Sequence, residues 1–288
     1  MKRVIVVGAL TFIGYHLVQK FLEEEVEVYA FDFDEMNSVS KINEEKLCLI
    51  GRNALFKYFS LRDNDGWEVL EKIDIDAAYF CLCEPNQQKN FGNERTILQY
   101  VKRFESFCKR KEIKFVISSS VEVNHTCSRN ENRMLFSKIE REVQKGDADY
   151  CILRVPAVYG PWQPSFMTYH HIILAQLKQQ TISLRVEECT CDLLYVEDVA
   201  NYLYTIGQRE REREMKIYSL CSEEKNRWQK GIELLQKTGA FQIEEKECVT
   251  GEEEKVVVPS KFSLEQGMGR QISHIKQYRE LYETSNTW

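Results

Sequence analysis

The sequence predicts an α/β protein built on a doubly wound parallel sheet, with a smaller C-terminal lobe beside it. Three observations carry that expectation. The run Val-Ile-Val-Val-Gly-Ala-Leu-Thr-Phe-Ile-Gly at 4–14 leads a buried strand through a tight turn into a helix. Short apolar runs then alternate with helix-period segments up to about residue 160, the rhythm of strand–helix–strand crossovers. Asp32 closes the second apolar run, where an acidic side chain can hold a ribose diol.

Taken in order, the expected strands are 3–7, 26–32, 47–50, 55–60, 77–83, 114–120 and 150–155. Helical patterns fill 13–24, 66–72, 92–110 and 134–145, with Ile13, Leu17, Phe21 and Leu22 on one face of the first. Right-handed crossovers place helices on both faces of the sheet and ligands above the carboxyl ends of its strands. Past residue 160 the rhythm loosens into a helix at 166–179, a strand at 182–186, a helix at 196–207 and a strand at 216–220. A helix at 227–238 and a helical stretch at 270–284 complete the chain. This divides the sequence into a Rossmann-type dinucleotide-binding domain at 1–160 and a substrate-side lobe at 161–288, interleaved with the last strands of the sheet.

Composition narrows the class of function. With 43% hydrophobic and 29% charged residues the chain reads as globular, and its net charge of −6 argues against a nucleic-acid surface. No apolar run approaches the roughly 20 residues that cross a bilayer, and the N-terminal apolar run spells a strand rather than a signal peptide. A cytoplasmic protein is expected. The charged runs from Arg209 to Glu214 and from Glu252 to Glu254 read as solvated surface. Among the ten cysteines, Cys81-x-Cys83 and Cys189-x-Cys191 lack the spacing and nearby histidines of a zinc site. Free thiols in a reducing compartment, and no metal, are the expectation.

The first turn has a definite chemistry. Gly8 permits the sharp bend and Gly14 lets the helix approach the strand. The backbone at Thr11, Phe12 and Ile13 then presents helix N-terminal N–H groups to a pyrophosphate. Thr11 stands where a glycine would let the phosphate come closest, so its Cβ crowds the site while its hydroxyl can donate. Asp32, eighteen residues beyond Gly14, favours NAD over NADP, because a carboxylate accepts from both ribose hydroxyls and repels a 2′-phosphate. Asp34 falls just past the strand, and no arginine immediately follows Asp32.

With these motifs in place, residues 3–222 resemble the extended short-chain dehydrogenase/reductase family, the NAD-dependent nucleotide-sugar epimerases and dehydratases. The carriers are the first turn, Leu61-Arg62-Asp63, Phe115 to Ser120, Ser137-Lys138 with Glu142, Cys191 to Ala200, and Tyr218-Ser-Leu-Cys-Ser. Tyr159-Gly-Pro-Trp-Gln-Pro-Ser-Phe-Met-Thr-Tyr169 is similar to a segment of UDP-glucuronate 4-epimerases. The resemblance implies NAD as cofactor, a nucleotide sugar as ligand, and Ser120 and Lys138 as catalytic residues. Lys138 would also bind the nicotinamide ribose. A homodimer packed through 92–110 and 134–145 is implied as well.

The departures from that pattern fall on chemistry. Met134 stands where the family carries its tyrosine acid/base, four residues before Lys138, and a thioether exchanges no proton. It follows Ser120 by only fourteen positions, so the intervening loop is short. Ala157 stands for an asparagine that contacts substrate, and Cys191 for an arginine that meets a phosphate. Asn124, His125 and Tyr159 are the candidate replacement groups, His125 being the best proton carrier by its ordinary pKa. Ser118, Ser119 and Ser120 also read as caps closing a strand. Three functions remain open: an NAD(H)-binding protein with lost or weakened catalysis, acting as sensor or partner subunit; an active epimerase or dehydratase with substituted proton chemistry; and an atypical regulator or RNA-binding protein.

Overall fold

The structure, a computed structural model, describes residues 1–32, 40–82, 94–124, 131–186, 188–209, 216–244 and 254–285. Eight parallel strands form the main sheet: β1 (Arg3–Val7), β2 (Glu27–Asp32), β3 (Phe56–Ser60), β4 (Ala77–Cys81), β5 (Lys114–Ser120), β6 (Tyr150–Val155), β10 (Lys216–Cys221) and β12 (Lys255–Val257). Their order is β3-β2-β1-β4-β5-β6-β10-β12. This is the expected doubly wound arrangement, with the reversal of strand order between β1 and β4. The C-terminal part of the chain contributes β10 and β12 to this sheet. Two small parallel pairs stand beside it, β7 (Ala157–Tyr159) with β9 (Leu193–Tyr195) and β8 (Ser183–Arg185) with β11 (Gln242–Glu244).

Both sheet faces are covered, and strand residues divide between them with a period of two. Val4, Val6, Val28 and Ala30 pack with Leu17 and Phe21 of α1 (Phe12–Glu23). Ile5, Val7 and Phe31 pack on the other face with Trp67, Phe104 and Ile139. Those three side chains come from α3 (Asn64–Lys72), α4 (Glu94–Lys111) and α5 (Glu131–Gln144). The remaining helices are α2 (Lys41–Ile50), α6 (Thr168–Leu177), α7 (Val196–Gln208), α8 (Arg227–Gln236), α9 (Leu264–Gln277) and α10 (Arg279–Ser285). Among the described residues no helix is long and apolar enough to cross a membrane.

Several expectations need correction. Residues 47–50 are the last turn of α2, not a strand. Ser40 caps that helix by accepting from the Asn43 N–H at 3.2 Å. Ile42 and Leu47 pack on the core while Leu49 faces solvent, a helical distribution that a short apolar run conceals. The stretch 270–284 is two helices, α9 and α10, the first opened by a capping box between Ser263 and Gln266. Strands β7, β9, β11 and β12 have only three residues each, too few for periodicity to register. Cys81, Cys108 and Cys151 are buried free thiols as expected, but Cys189 is disulfide-bonded. Such pairing depends on Cβ atoms brought together by the fold, which sequence spacing does not report.

The C-terminal helices close over the start of α1 through an aromatic cluster. Trp162 lies 5.9 Å from Tyr15, 4.4 Å from His274 and 4.7 Å from Tyr278, measured between ring centroids. Nε2 of His16 donates to the Pro161 carbonyl at 2.8 Å. The Lys46 ammonium, buried beside the Tyr15 and Trp162 rings, donates to the Leu10 carbonyl at 2.6 Å.

Two outcomes are expected from this packing. A Cβ on Gly14 would lie 1.9 Å from the Gly8 carbonyl oxygen, so Gly14→Ala must shift backbone. Urea unfolding should show a loss of at least ~1–3 kcal/mol, the cost of overpacking a tight core. Burial lowers His16 to about 4, and His170 and His274 to about 3. The unfolded chain therefore binds protons first as pH falls below ~6.5, and each histidine removes up to about 1.4 kcal/mol per pH unit. Melting temperature should hold above that pH and fall steeply from 6.5 towards 4, with a shallower fall in His170→Phe.

Candidate active site

The expected cofactor turn is formed as the glycines require. Gly8 has φ +73°, and a Cβ there would lie 2.2 Å from the Cys81 carbonyl oxygen. Thr11 is the N-cap of α1, its hydroxyl accepting from the Gly14 N–H at 3.2 Å. The same hydroxyl reaches the carbonyls of Gly8 and Cys81 at 2.7 and 3.0 Å. It therefore closes the turn against β4, while Phe12 and Ile13 form the wall between the turn and the neighbouring cavity. Asp32 is buried at the end of β2, and its Oδ2 accepts from the Leu10 N–H at 2.8 Å. That bond fixes a carboxylate beside the turn, and the close approach of Gly14 to Gly8 leaves the cradle a dinucleotide needs. The residues present fit such a group. Asp34 and His125 lie outside the described residues.

Beyond Phe12 and Ile13 a cavity of about 60 Å³ opens at the carboxyl ends of β5 and β6. Ser119, Ser120, Glu122, Phe136, Ala157 and Glu188 are among its lining residues. Whole small molecules occupy pockets of roughly 300–1,000 Å³, so this space suits one functional group of a ligand. Ser120 accepts from the Glu122 N–H at 3.1 Å. Ser119, fully buried, instead donates to Glu140 at 2.5 Å. Glu140 in turn receives a two-pronged bond from Arg154 of β6, at 2.9 and 2.6 Å, with both side chains buried. This ties α5 to the ends of β5 and β6.

The two positions singled out on α5 face away from that cavity. Met134 is 52% exposed. Lys138 lies one turn further on, and its ammonium sits 2.7 Å from both Glu94 oxygens of α4. Among the described residues, Phe136 is the α5 side chain that lines the cavity. The structure thus brings Ser120 together with Phe12, Ile13 and Ala157, and it holds Lys138 in an ion pair between helices. Tyr159 is buried in the core and burial pushes its phenol up to about 12, which removes it as a replacement proton carrier near neutrality. Cys191 is half-buried and its thiol is pushed up to about 11, again by burial. Its neighbour Asp192 fastens Ser222 through two 2.6 Å bonds.

Sequence reasoning missed Glu188. Its Oε1 is buried without a hydrogen-bond partner. Burial raises its carboxyl to about 7, hydrogen bonds from Thr168 and from the Trp228 side chain pull it back, and the charge of Glu122 raises it again. Glu122 Oε1 accepts from the Cys189 N–H at 3.1 Å. Nothing in the local pattern around 188 marks it, since it enters the cavity from the connection between β8 and β9. The Arg154–Glu140 pair was equally hidden, although an arginine inside an apolar strand is a signal for a buried partner.

Among known proteins, the model of the "NAD dependent epimerase/dehydratase family" matches residues 4–221. A search of curated proteins gives no match. The solved structures include similar ones throughout the chain's length. UDP-glucuronic acid 4-epimerase from Bacillus cereus, in complex with UDP-glucuronic acid and NAD, is 19% identical with a TM-score of 0.74, covering 96% of this chain and 99% of that one. The dTDP-glucose 4,6-dehydratase from Bacillus anthracis, in complex with NAD, is 14% identical with a TM-score of 0.72, covering 99% and 100%. UDP-glucose 4-epimerase from Thermotoga maritima, with UDP-glucose, is 15% identical with a TM-score of 0.69, covering 96% and 99%.

The buried ion pair behind the cavity yields a direct test of its structural weight. Glu140→Ala removes the buried carboxylate that holds the Arg154 guanidinium, a change that costs ~3–5 kcal/mol when one partner of a buried pair is removed. Chemical denaturation should show a loss of that size, and Glu142→Ala, on the same helix, a loss below about 1 kcal/mol.

Proposed function

This chain belongs to the NAD dependent epimerase/dehydratase family, and we propose that it is an NAD(H)-binding member whose tyrosine-based catalysis is lost or strongly weakened. One observation carries this reading. The α5 face expected to present a phenol and an ammonium presents an exposed methionine at 134 and a lysine committed to Glu94. A nucleotide sugar is the proposed ligand, and a second copy of the chain across α4 and α5 the proposed assembly.

Bound NAD would supply hydride chemistry at the strand ends. The chain's own groups have more limited tasks. The Gly8–Gly14 turn seats the pyrophosphate on the start of α1, where backbone N–H groups favour an anion. Asp32, oriented by the Leu10 N–H, takes the adenosine ribose. Ser120 can donate its hydroxyl proton to a ligand oxygen, since its oxygen already accepts from Glu122. No group at position 134 takes a proton from a sugar hydroxyl, and loss of a positioned acid/base removes ~10²–10⁴ in rate.

Denaturing the purified protein and identifying released NAD(H) by mass spectrometry tests the cofactor. Calorimetry should show tighter binding of NAD⁺ than NADP⁺, with Asp32→Ala weakening NAD⁺ by about tenfold or more. Equal affinity for both cofactors removes the role given to Asp32. Turnover of UDP-glucuronate or UDP-glucose should be absent, and an ordinary rate of about 1–10³ per second defeats the proposal. Met134→Tyr alone should restore little activity. Ala157 and Cys191 leave the sugar nucleotide poorly held, and orientation supplies ~7–11 kcal/mol of barrier reduction.

A further inference from the structure

The cavity behind Phe12 and Ile13 carries two unused hydrogen-bonding functions. Ser120 has its oxygen engaged by the Glu122 N–H, which leaves the hydroxyl proton as a donor. Glu188 lines the same cavity; Thr168 and Trp228 stand beside its carboxyl, and its buried Oε1 has no hydrogen-bond partner. The other polar groups there are occupied: Ser119 donates to Glu140, and Glu122 accepts from Cys189. Around them the wall is apolar, including Phe136, Val155 and Met167. An unsatisfied carboxylate oxygen in such surroundings is costly and gains most from an O–H or N–H donor.

We propose that Glu188 and Ser120 form a subsite for one alcohol group of a ligand, the ligand hydroxyl donating to Glu188 Oε1 and accepting from Ser120. The proposal takes its ligand class, a sugar hydroxyl, from the function proposed above. A donor and an acceptor on one small cavity match a hydroxyl, which offers both. The volume of about 60 Å³ fits a single CH–OH unit whose parent molecule lies outside. A cation is the poorer match, because the Ser120 proton would meet it with the wrong polarity.

Occupancy of the subsite is linked to protonation. The groups facing Glu188 are Glu122 from the turn after β5, Thr168 from α6 and Trp228 from α8, and the adjacent Cys189 is disulfide-bonded and does not titrate. Glu122 is the only one of these that carries charge. A hydroxyl donates more strongly to the ionised carboxylate than to the neutral acid. The ligand therefore lowers the Glu188 midpoint from about 7 and binds better at pH 8 than at pH 6.

The test is a carboxyl-labelled NMR titration of the whole protein, with Glu188 assigned through Glu188→Gln. Glycerol serves as the bare alcohol, UDP-glucose as the nucleotide sugar and methylammonium as the cation. A tenfold preference for the ionised form lowers the midpoint by about one pH unit. That shift is expected with glycerol or UDP-glucose, reduced in Ser120→Ala. Calorimetric binding of UDP-glucose should weaken about tenfold in Glu188→Gln and lose its pH dependence, with Glu188→Asp recovering part of both. An ordinary carboxylate midpoint, no response to either alcohol, or a response to methylammonium alone overturns the subsite. NAD⁺ affinity is measured on the same samples. Failure of the parent protein to bind NAD⁺ defeats the proposed function while the glycerol result still decides the subsite.

Discussion

The bond on which the candidate site depends is the buried fork between Arg154 and Glu140, with Ser119 as its third member. It joins three elements at the point where the sheet presents its carboxyl edge. Because Glu140 lies on α5, the rotation of that helix about its axis is set by where the carboxylate must meet Arg154. With that rotation fixed, Phe136 enters the cavity wall, and positions 134 and 138 fall towards solvent and α4. A charge pair in an apolar setting tolerates little displacement, since both partners were taken out of water to form it. The packing of α5 follows from this electrostatic requirement as much as from its hydrophobic face.

Several polar side chains at the edge of the sheet have a structural assignment of the same kind. Thr11 closes its turn by bridging the Gly8 carbonyl, just past β1, and the Cys81 carbonyl of β4 instead of standing clear of them. Lys138 links two helices, and Asp192 holds the start of the segment after β10. These are structural occupations, and one of them falls on Lys138, to which the family resemblance gives a chemical role. The groups left over, Ser120 and Glu188, sit on the cavity side of the same edge. The recess keeps its shape because the sheet that makes it is held by core packing.

The main sheet was legible because its strands are continuous apolar runs, buried on both faces, between helices of clear period. Its first turn was legible because only glycine tolerates the φ of residue 8 and the contact at residue 14. The short strands were not, since three residues carry no period. The run at 47–50 was misread because four apolar residues end a helix as readily as they make a strand. In the candidate site, Ser120 and Asp32 could be placed from their position at strand ends. Glu188 could not, because its place depends on a connection folding back over β5, which brings residues 68 positions apart, Ser120 and Glu188, to one cavity. The direction of the Lys138 side chain was equally inaccessible, being decided by Glu94 on another helix.

The aromatic cluster around Trp162 has a consequence for how this chain is made. The first strand and turn leave a ribosome well before their partners do: Tyr15 and His16 find their packing at 161–162 and, beyond them, at His274 and Tyr278. The N-terminal half therefore waits with an incomplete apolar face until His274 and Tyr278 have emerged. Closing contacts of such sequence separation late slows folding and leaves intermediates with exposed hydrophobic surface. During synthesis at about 5–20 residues per second, that face stays open for many seconds, the interval in which such a half-built sheet is most prone to aggregate.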